Sequence, residues 1–425
     1  MTSGLPARRA ALSIFSQVLR QRVPLSRLLW SPPTLSPRDA AFARALVSDA
    51  LRHFGELEAA IRHLAPKPLP PHKSGLATEI LLLGACELLI LKTPAHAAVD
   101  AANDLAASDS ETVHFKPLVN AVLRRLAREA GKIAYDGSRL NTPDWLWNRW
   151  CAQYGDSKAR EIARANGRQA PLDIHLRDAN AIHPQSVKLF GLSRRVTAEG
   201  RVDDLLGFKE GGWWVQDAAA SLPAVLLGDV AGRNVFDLCA APGGKTLGLA
   251  SQGADVVAVE IDSARMRRVR ENLARTGLNA RLIECDLRDF EGEAPLVLLD
   301  APCTATGTIR RHPDIPWIRN AADVTAQASQ AYDLMEGAAR LVAQGGLLVF
   351  AVCSLEREEA EDQAALFLAG HREFSRVPVE AREIFGHSEW ITPQGDLRTL
   401  PCDLAQLGGM DGFYAARFRR VSPDR

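Results

Sequence analysis

Two cysteines follow apolar stretches that have the composition of buried β-strands. Cys303 ends LVLLDAPC, three residues after Asp300, and Cys353 ends LLVFAVC. A lone cysteine in an apolar strand is usually inert packing. Two cysteines at the carboxyl ends of neighbouring strands would instead converge on one pocket, and a thiolate there is a strong nucleophile. The pair therefore favours a functional pocket close to Asp300 over inert packing.

A glycine-containing turn, DLCAAPGGKT, lies upstream of both cysteines. A Walker loop would need glycine at position 239, where this chain has Cys239, so a P-loop is excluded. Gly243 and Gly244 follow the strand-like run NVFDLC and let the backbone approach a ligand just before the next helix. We expect this turn to bind a cofactor through a contiguous set of residues: Cys239, Ala240, Ala241, Pro242, Gly243, Gly244 and Lys245.

Carboxylates end the next two strand-like runs. Glu260 ends the first and can accept hydrogen bonds from ribose hydroxyls, while Asp286 ends the second and is placed to meet an adenine amino group. NAD and S-adenosylmethionine both carry such a ribose, but the G-x-G-x-x-G spacing that suits a diphosphate is missing. The pattern favours S-adenosylmethionine; the alternative is a structural turn with two exposed carboxylates.

From about residue 220 the chain alternates between strand-like and helix-like segments. The strand-like runs are NVFDLC, ADVVAVEID, ARLIECD, PLVLLDAPC and GLLVFAVCS. This alternation predicts an α/β, doubly wound, mostly parallel sheet of Rossmann-like type. Ligands of such sheets bind outside the carboxyl ends of the strands, where the clusters described above fall.

The preceding residues have other patterns. Up to about residue 135 the apolar spacing is helical, with Ser36 and Pro37 as a helix start and ATEILLLGACELLIL as a central buried helix. A short mixed segment follows. We predict an all-helical domain at 1–138, a small α+β subdomain at 139–218 and the doubly wound domain at 219–425.

Composition limits the classes of protein to which the chain can belong. The net charge is zero, so a nucleic acid would need a local basic surface, and the first 75 residues carry nine Arg and two Lys against two Asp and two Glu. The seven cysteines are sparse and form no C-x-x-C pair, which indicates a reducing cytoplasm and no metal site. No apolar run approaches the roughly 18 residues that cross a bilayer, so we expect no membrane location.

Three motifs carry a resemblance to a known family. DLCAAPGGKT, LLDAPCTATGTIRRHPDI and VCS resemble, in order and spacing, the motifs of the RNA cytosine-C5 methyltransferases of the Sun/NOL1/NOP2 family. IRRHPDI and the KPLVNAVLRRLARE segment are similar to the bacterial members that modify 16S ribosomal RNA and carry a NusB-like RNA-binding bundle. The resemblance spans nearly the whole chain. It implies S-adenosylmethionine as cofactor, 16S ribosomal RNA as partner and RNA binding by both N-terminal parts, and we expect a monomer.

The resemblance also implies roles for the site residues. Cys353 is the thiol that attacks carbon 6 of cytosine, and Cys303 assists release of the RNA. Asp300 meets the N3 and N4 edge of the base and lies close to the cofactor. Lys245 is expected at the methionine carboxylate or in fixing the turn. A further expectation concerns RNA phosphates flanking the target base, which would be bound by Arg310, Arg311 and His312.

The chain departs from the family pattern at three positions. Val352 replaces the usual Thr, Glu260 the usual Asp, and Ala360 a common Asn. Three alternatives to the family function stay open: the same chemistry on transfer RNA, a non-catalytic RNA-binding factor, and an NAD-dependent oxidoreductase.

Overall fold

The structure is a computed structural model that describes residues 4–28, 35–67, 69, 74–129 and 135–421. The chain forms two compact units. The helical unit comprises Met1–Gln169 and Ile309–Asn320, and the sheet unit comprises Ala170–Thr308 and Ala321–Arg425. The division into three domains at 1–138, 139–218 and 219–425 stays a prediction. No helix within the described ranges is long and apolar enough to cross a membrane.

The helical unit contains α-helices, and the first six of them pack around a common core of Leu, Ile, Val and Ala side chains. In chain order these are α1 (Leu5–Gln21), α2 (Pro37–Arg52), α3 (Phe54–Leu64), α4 (Ala77–Leu89), α5 (Ala95–Ala107), α6 (Lys116–Glu129), α7 (Gly137–Leu140), α8 (Asp144–Tyr154) and α9 (Asp156–Asn166). Helix α4, apolar nearly all round, is buried along almost its whole length. It is the central helix that its composition predicts.

Helix α2 begins where its sequence predicts. The Asp39 backbone N–H donates to the Ser36 hydroxyl over 3.1 Å, and Pro37 is the first helical residue. The Asp39 carboxylate lies in the first turn, where the helix dipole favours negative charge. Side-chain capping of this kind stabilises a helix by about 1 kcal/mol.

The sheet unit begins with a small antiparallel sheet. Its strands, β1 (Asp173–Leu176), β2 (Ser186–Lys188), β3 (Ser193–Val196) and β4 (Trp213–Val215), lie in the order β2-β3-β1-β4. Arg195 of β3 donates from Nε to Asp173 Oδ1 of β1 over 2.7 Å, and both side chains are buried. The pair fixes one side of this sheet.

A mixed eight-stranded sheet forms the rest of the sheet unit, in the order β10-β12-β9-β8-β5-β6-β7 with β11 paired to β12. Its strands are β5 (Asn234–Leu238), β6 (Asp255–Glu260), β7 (Arg281–Glu284), β8 (Ala294–Asp300), β9 (Val342–Val352), β10 (Phe374–Arg376), β11 (Leu397–Thr399) and β12 (Phe413–Arg420). Strands β5 to β9 pair in parallel, and β12 is antiparallel to β9.

Helices cover both faces of this sheet. They are α10 (Ala218–Val225), α11 (Gly244–Ser251), α12 (Ser263–Thr276), α14 (Ala321–Arg340) and α15 (Glu361–Gly370). Phe236 of β5 packs in one core cluster with Met335 of α14 and Phe367 of α15. The neighbouring Val235 packs in another cluster with Leu222 of α10. Alternate residues of a buried strand thus meet opposite helical layers, which confirms the predicted doubly wound Rossmann-like fold.

Residues Ile309–Asn320, with the short helix α13 (Ile315–Ile318), belong to the helical unit although they lie between two strands of the sheet unit. The Leu25 N–H donates to Asp314 Oδ2 over 2.9 Å, and Trp317 Nε1 donates to the Leu51 carbonyl over 2.8 Å. Arg310, expected to contact RNA phosphates, is only 1% exposed. That expectation is wrong for Arg310, because its side chain lies in the interior of the folded chain.

Candidate active site

The glycine turn connects β5 to α11. Cys239 has a φ of +59° and Gly243 a φ of +102°, so the backbone bends sharply twice within five residues. A side chain at position 243 would be strained by that φ and would meet Val269 Cγ1 at 3.2 Å. Burial raises the pKa of the Cys239 thiol to about 12. Cys239 therefore stays protonated and shapes the turn without acting as a nucleophile.

Glu260 ends β6 beside this turn, as predicted. Its Oε2 accepts from the Ala241 N–H over 3.3 Å, and its Oε1 accepts from the Asp262 N–H over 3.1 Å. Arg265 Nη1 lies 3.4 Å from Oε2, and the carboxylate is 2% exposed. A carboxylate can accept about four hydrogen bonds, so both oxygens retain capacity for ribose hydroxyls.

Asp286 lies in the turn after β7 and is engaged by its own neighbour. Its carboxylate caps the short 3-10 helix Leu287–Asp289 through the Arg288 N–H, and Arg288 Nη2 lies 2.5 Å from Oδ2. These hydrogen bonds from Arg288 lower the pKa of Asp286 to about 2. Its contact with an adenine amino group stays a prediction.

Asp300 and Lys245 form an ion pair that the sequence analysis did not anticipate. Asp300 ends β8, Lys245 lies in the first turn of α11, and Lys245 Nζ is 2.6 Å from Asp300 Oδ2. The Lys245 side chain is 8% exposed and that of Asp300 is 29% exposed. The structure thus brings the cofactor turn and the predicted catalytic aspartate into direct contact.

Asp237 lies near the end of the apolar run NVFDL and was not predicted from the sequence as a site residue. It is fully buried, and Thr246 Oγ1 donates to its Oδ2 over 2.6 Å. Burial raises the pKa of Asp237 to about 7, although the bond from Thr246 opposes the shift. A charged residue inside an apolar strand was the available signal.

The two cysteines meet at the ends of adjacent parallel strands. Asp300 of β8 is opposite Ala351 of β9, so the residues that follow each strand emerge side by side. The Sγ atoms of Cys303 and Cys353 are 3.5 Å apart. The hydrogen bond with Cys353, together with burial, raises the pKa of Cys303 well above its usual value. Cys303 therefore keeps its proton, and either sulfur can be the donor in this contact.

Backbone contacts hold the two cysteine loops together. The Gly307 N–H donates to the Cys353 carbonyl over 3.0 Å, and the Leu355 N–H donates to Thr306 Oγ1 over 2.9 Å. A Cβ at position 307 would lie 2.0 Å from the Gly412 carbonyl oxygen, so only glycine fits there. Neither Thr306 nor the buried Glu359 nearby was predicted from the sequence as a site residue.

All three departures from the family pattern are buried, and two of them are apolar. Val352 is fully buried in the core of the large sheet, and Ala360 is fully buried at the start of α15. Both are apolar, so neither side chain can hydrogen-bond the cysteine loops as Thr or Asn would. Among the described residues, no group of three or more His, Cys, Asp or Glu side chains is arranged to hold a metal ion.

Comparison with known proteins decides the family. Residues 224–419 match the family model described as 16S rRNA methyltransferase RsmB/F, and residues 5–128 match the NusB family. Ribosomal RNA small subunit methyltransferase B of Pasteurella multocida is 33% identical over 98% of this chain and 96% of its own. The chain belongs to the RsmB/F family of rRNA methyltransferases. The predicted family is thereby confirmed, and the protein is a methyltransferase that uses S-adenosylmethionine.

Solved structures show the same fold. The crystal structure of PH0851 superposes with a TM-score of 0.77, at 22% identity, over 98% of each chain. The structure of NSun6 from Pyrococcus horikoshii with SFG gives a TM-score of 0.55, at 18% identity, over 66% of this chain and 99% of that one.

The residues at the glycine turn fit S-adenosylmethionine. Glu260 offers buried acceptor oxygens beside a turn whose Gly243 and Gly244 keep the backbone bare. A Cβ at position 244 would lie 3.1 Å from Gln216 Cδ, so this side of the turn tolerates no side chain without displacement. When bound, the cofactor supplies an electrophilic methyl group on its sulfonium.

Proposed function

We propose that this protein methylates carbon 5 of a cytosine in 16S ribosomal RNA through a covalent bond between Cys353 and carbon 6 of the base. The observation that carries the proposal is the 3.5 Å separation of the Cys303 and Cys353 sulfurs beside Asp300. Packing alone gives no reason to place two thiols together at the ligand-binding edge of a parallel sheet.

Carbon 5 of cytosine is a weak nucleophile until carbon 6 is attacked. When the Cys353 thiolate forms a bond to carbon 6, the electron pair of the ring double bond moves to carbon 5, which can then accept the methyl group. Asp300 contacts the N3 and N4 edge of the base. One carboxyl oxygen accepts from the N4 amino group, and a proton carried between the other oxygen and N3 takes up the negative charge that develops on the ring; it returns to Asp300 when the thiolate leaves. The proton on carbon 5 must then leave, and its electron pair expels the Cys353 thiolate.

Cys303 is suited to remove that proton. In the free protein its proton is held by burial and by the hydrogen bond with Cys353. Once the Cys353 sulfur is bonded to carbon 6 it is a thioether and a weaker hydrogen-bond acceptor, so the largest cause of the raised Cys303 pKa is reduced. Cys303 then releases its proton to water and, as a thiolate, accepts the proton from carbon 5. The assignment separates a nucleophile from a base within one pair.

The remaining assignments follow the same site. The cofactor is bound by the turn Cys239 to Lys245, by Glu260 and Asp286, and by Asp300 from the side of the base. The domains at 1–138 and 139–218 bind RNA. We keep the expectation of a monomer in the cytoplasm. The same chemistry on transfer RNA, and a non-catalytic RNA-binding role, are the competing functions.

The test is incubation of the protein with methyl-labelled S-adenosylmethionine and either unmethylated 16S ribosomal RNA or transfer RNA, followed by mapping of the modified base. We expect label on carbon 5 of a cytosine in the 16S RNA alone. Label only in transfer RNA would show that the substrate is transfer RNA and not 16S ribosomal RNA. Label at another atom, or none with either RNA, would reject the proposed chemistry.

A further inference from the structure

Glu359 is a fully buried glutamate that lies between the two cysteine loops. It ends the 3-10 helix Arg357–Glu359, just before α15. Its Oε1 accepts from the Thr304 backbone N–H over 2.7 Å, and its Oε2 accepts from Thr304 Oγ1 over 2.6 Å. Ser354 Oγ also donates to Oε2. One carboxylate thus accepts three hydrogen bonds, two from one loop and one from the other.

The donors to Glu359 are adjacent in sequence to the two cysteines. Thr304 directly follows Cys303, and Ser354 directly follows Cys353. Glu359 therefore contacts the residue next to each cysteine. We propose that Glu359 is a positioning residue that sets the separation of the two cysteine sulfurs.

The surroundings of Glu359 favour this role over a merely structural one. A buried carboxylate costs free energy unless its lone pairs are filled, and here three donors fill them. Burial nevertheless raises the pKa of Glu359 to about 7. An apolar side chain would serve packing without that cost. A carboxylate at this position is explained by its hydrogen bonds to both cysteine loops.

Other contacts fix the outer side of the same loop. Arg398 Nη1 donates to the Ser354 carbonyl over 2.6 Å, and Arg398 Nη2 lies 2.7 Å from Glu361 Oε2. Arg398 of β11 thus fixes the position of Ser354. Because Glu359 also accepts from Ser354, the carboxylate is itself held in place and in turn positions Thr304. Loss of Glu359 would free the Cys303 loop more than the Cys353 loop.

The geometric part of the inference can be tested without RNA. In the full-length protein, the effective concentration of the two thiols is measured by equilibrating the Cys303–Cys353 disulfide against glutathione and quantifying the linked peptides by mass spectrometry. We expect Glu359→Ala to lower it by about tenfold or more, since two hydrogen bonds from the Cys303 loop and one from the Cys353 loop are lost. Glu359→Gln keeps an acceptor for the Thr304 N–H and should recover part of the loss.

The catalytic part rests on the proposed function. There Glu359→Ala should lower kcat for methylation, while the KM for RNA and the affinity for S-adenosylhomocysteine stay within about twofold. Glu358→Gln, an exposed neighbour of the same charge, is the matched control and should match the wild type in every assay. If Glu359→Ala does not fold, Thr304→Val removes one donor at nearly constant volume and should show a smaller effect of the same sign.

The outcomes separate the two proposals. Equal thiol effective concentrations in wild type and a folded Glu359→Ala or Thr304→Val protein would overturn the positioning role, whatever the activity. A lowered effective concentration in a protein whose wild type methylates no cytosine would support the positioning role and reject the proposed function. Loss of kcat with unchanged thiol geometry would also overturn the inference, because Glu359 would then act otherwise than by positioning.

Discussion

Lys245 Nζ lies 2.6 Å from Asp300 Oδ2, so the first turn of the helix that follows the cofactor turn is ion-paired to the strand end that precedes the Cys303 loop. The pair is more buried on the lysine side than on the aspartate side. On the proposed assignments, this single contact connects the cofactor turn to the residue expected at the edge of the base. A role of Lys245 at Asp300 would change kcat, whereas a role at the cofactor would change the affinity for S-adenosylmethionine.

We expect Lys245→Met to lower kcat by about ten- to hundredfold, because Asp300 loses a charge-assisted hydrogen bond worth about 1.5–3 kcal/mol. The affinity for S-adenosylmethionine, measured by calorimetry, should change less. Lys245→Arg keeps the charge and should recover part of the rate. A loss of cofactor affinity with unchanged kcat would instead place Lys245 at the methionine carboxylate.

Glu260→Ala should weaken S-adenosylmethionine binding by about ten- to hundredfold. The substitution removes the predicted acceptor for the ribose hydroxyls and also the acceptor of the Ala241 N–H. Glu271→Ala, an exposed carboxylate on α12, is the matched control. Calorimetry that gives the same affinity for both folded variants would contradict the placement of the ribose.

The two cysteines should fail in different ways. Cys353→Ala should give no methylation and no covalent complex, since the nucleophile is absent. Cys303→Ala should still attack and methylate but stall as protein bonded to RNA, visible as a slow band on a denaturing gel. Cys151→Ala, in the helical unit, is the control for loss of a thiol. A band from Cys353→Ala and none from Cys303→Ala would reverse the two roles.

Asp237 makes stability depend on pH. Its pKa is about 7 in the folded protein, above the usual value of 3.8, so the folded state keeps a proton that the unfolded state has lost. The bound proton stabilises the folded state. This stabilisation is fully present below the pKa of Asp237 in the unfolded chain and is lost as pH rises toward about 7, where the free energy of unfolding falls by up to about 1.4 kcal/mol per pH unit. Asp237→Asn cannot titrate.

The measurement is urea unfolding of wild type and Asp237→Asn between pH 5 and pH 8. The free energy of unfolding of the wild type, relative to the variant, should fall as pH rises and level off above about pH 7. A difference that is constant across this range would mean that Asp237 is ionised in the folded protein throughout. Asn retains an acceptor for the Thr246 hydroxyl, so the comparison measures the titration of Asp237 and not the loss of its hydrogen bond with Thr246.

Features set by local pattern were predictable from the sequence, and those set by burial among distant residues were not. The alternation of apolar runs indicated the sheet, and the ends of those runs indicated that Cys303 and Cys353 would meet. Glu359, by contrast, stands among several acidic residues in LEREEAED, and composition does not distinguish the two buried ones, Glu356 and Glu359, from their more exposed neighbours.

Arg310 shows the opposite error. In IRRHPDI it has the composition of a phosphate-binding surface, yet its side chain is buried and its carbonyl accepts from Arg52 Nη1 over 3.0 Å. The partner is 258 positions away in the chain. Arginine is rarely buried, so the surface interpretation was favoured until the partner was known.

The path of Ile309–Asn320 has a consequence for the order in which the protein is made. Leu25 and Leu51 leave the ribosome well before the groups that bond them, on Asp314 and Trp317, which are synthesised more than 250 positions later. At a typical synthesis rate of about 5–20 residues per second, that delay is on the order of 10–50 seconds. The helical unit can therefore begin to fold early, yet it completes its packing only after much of the sheet unit has been translated.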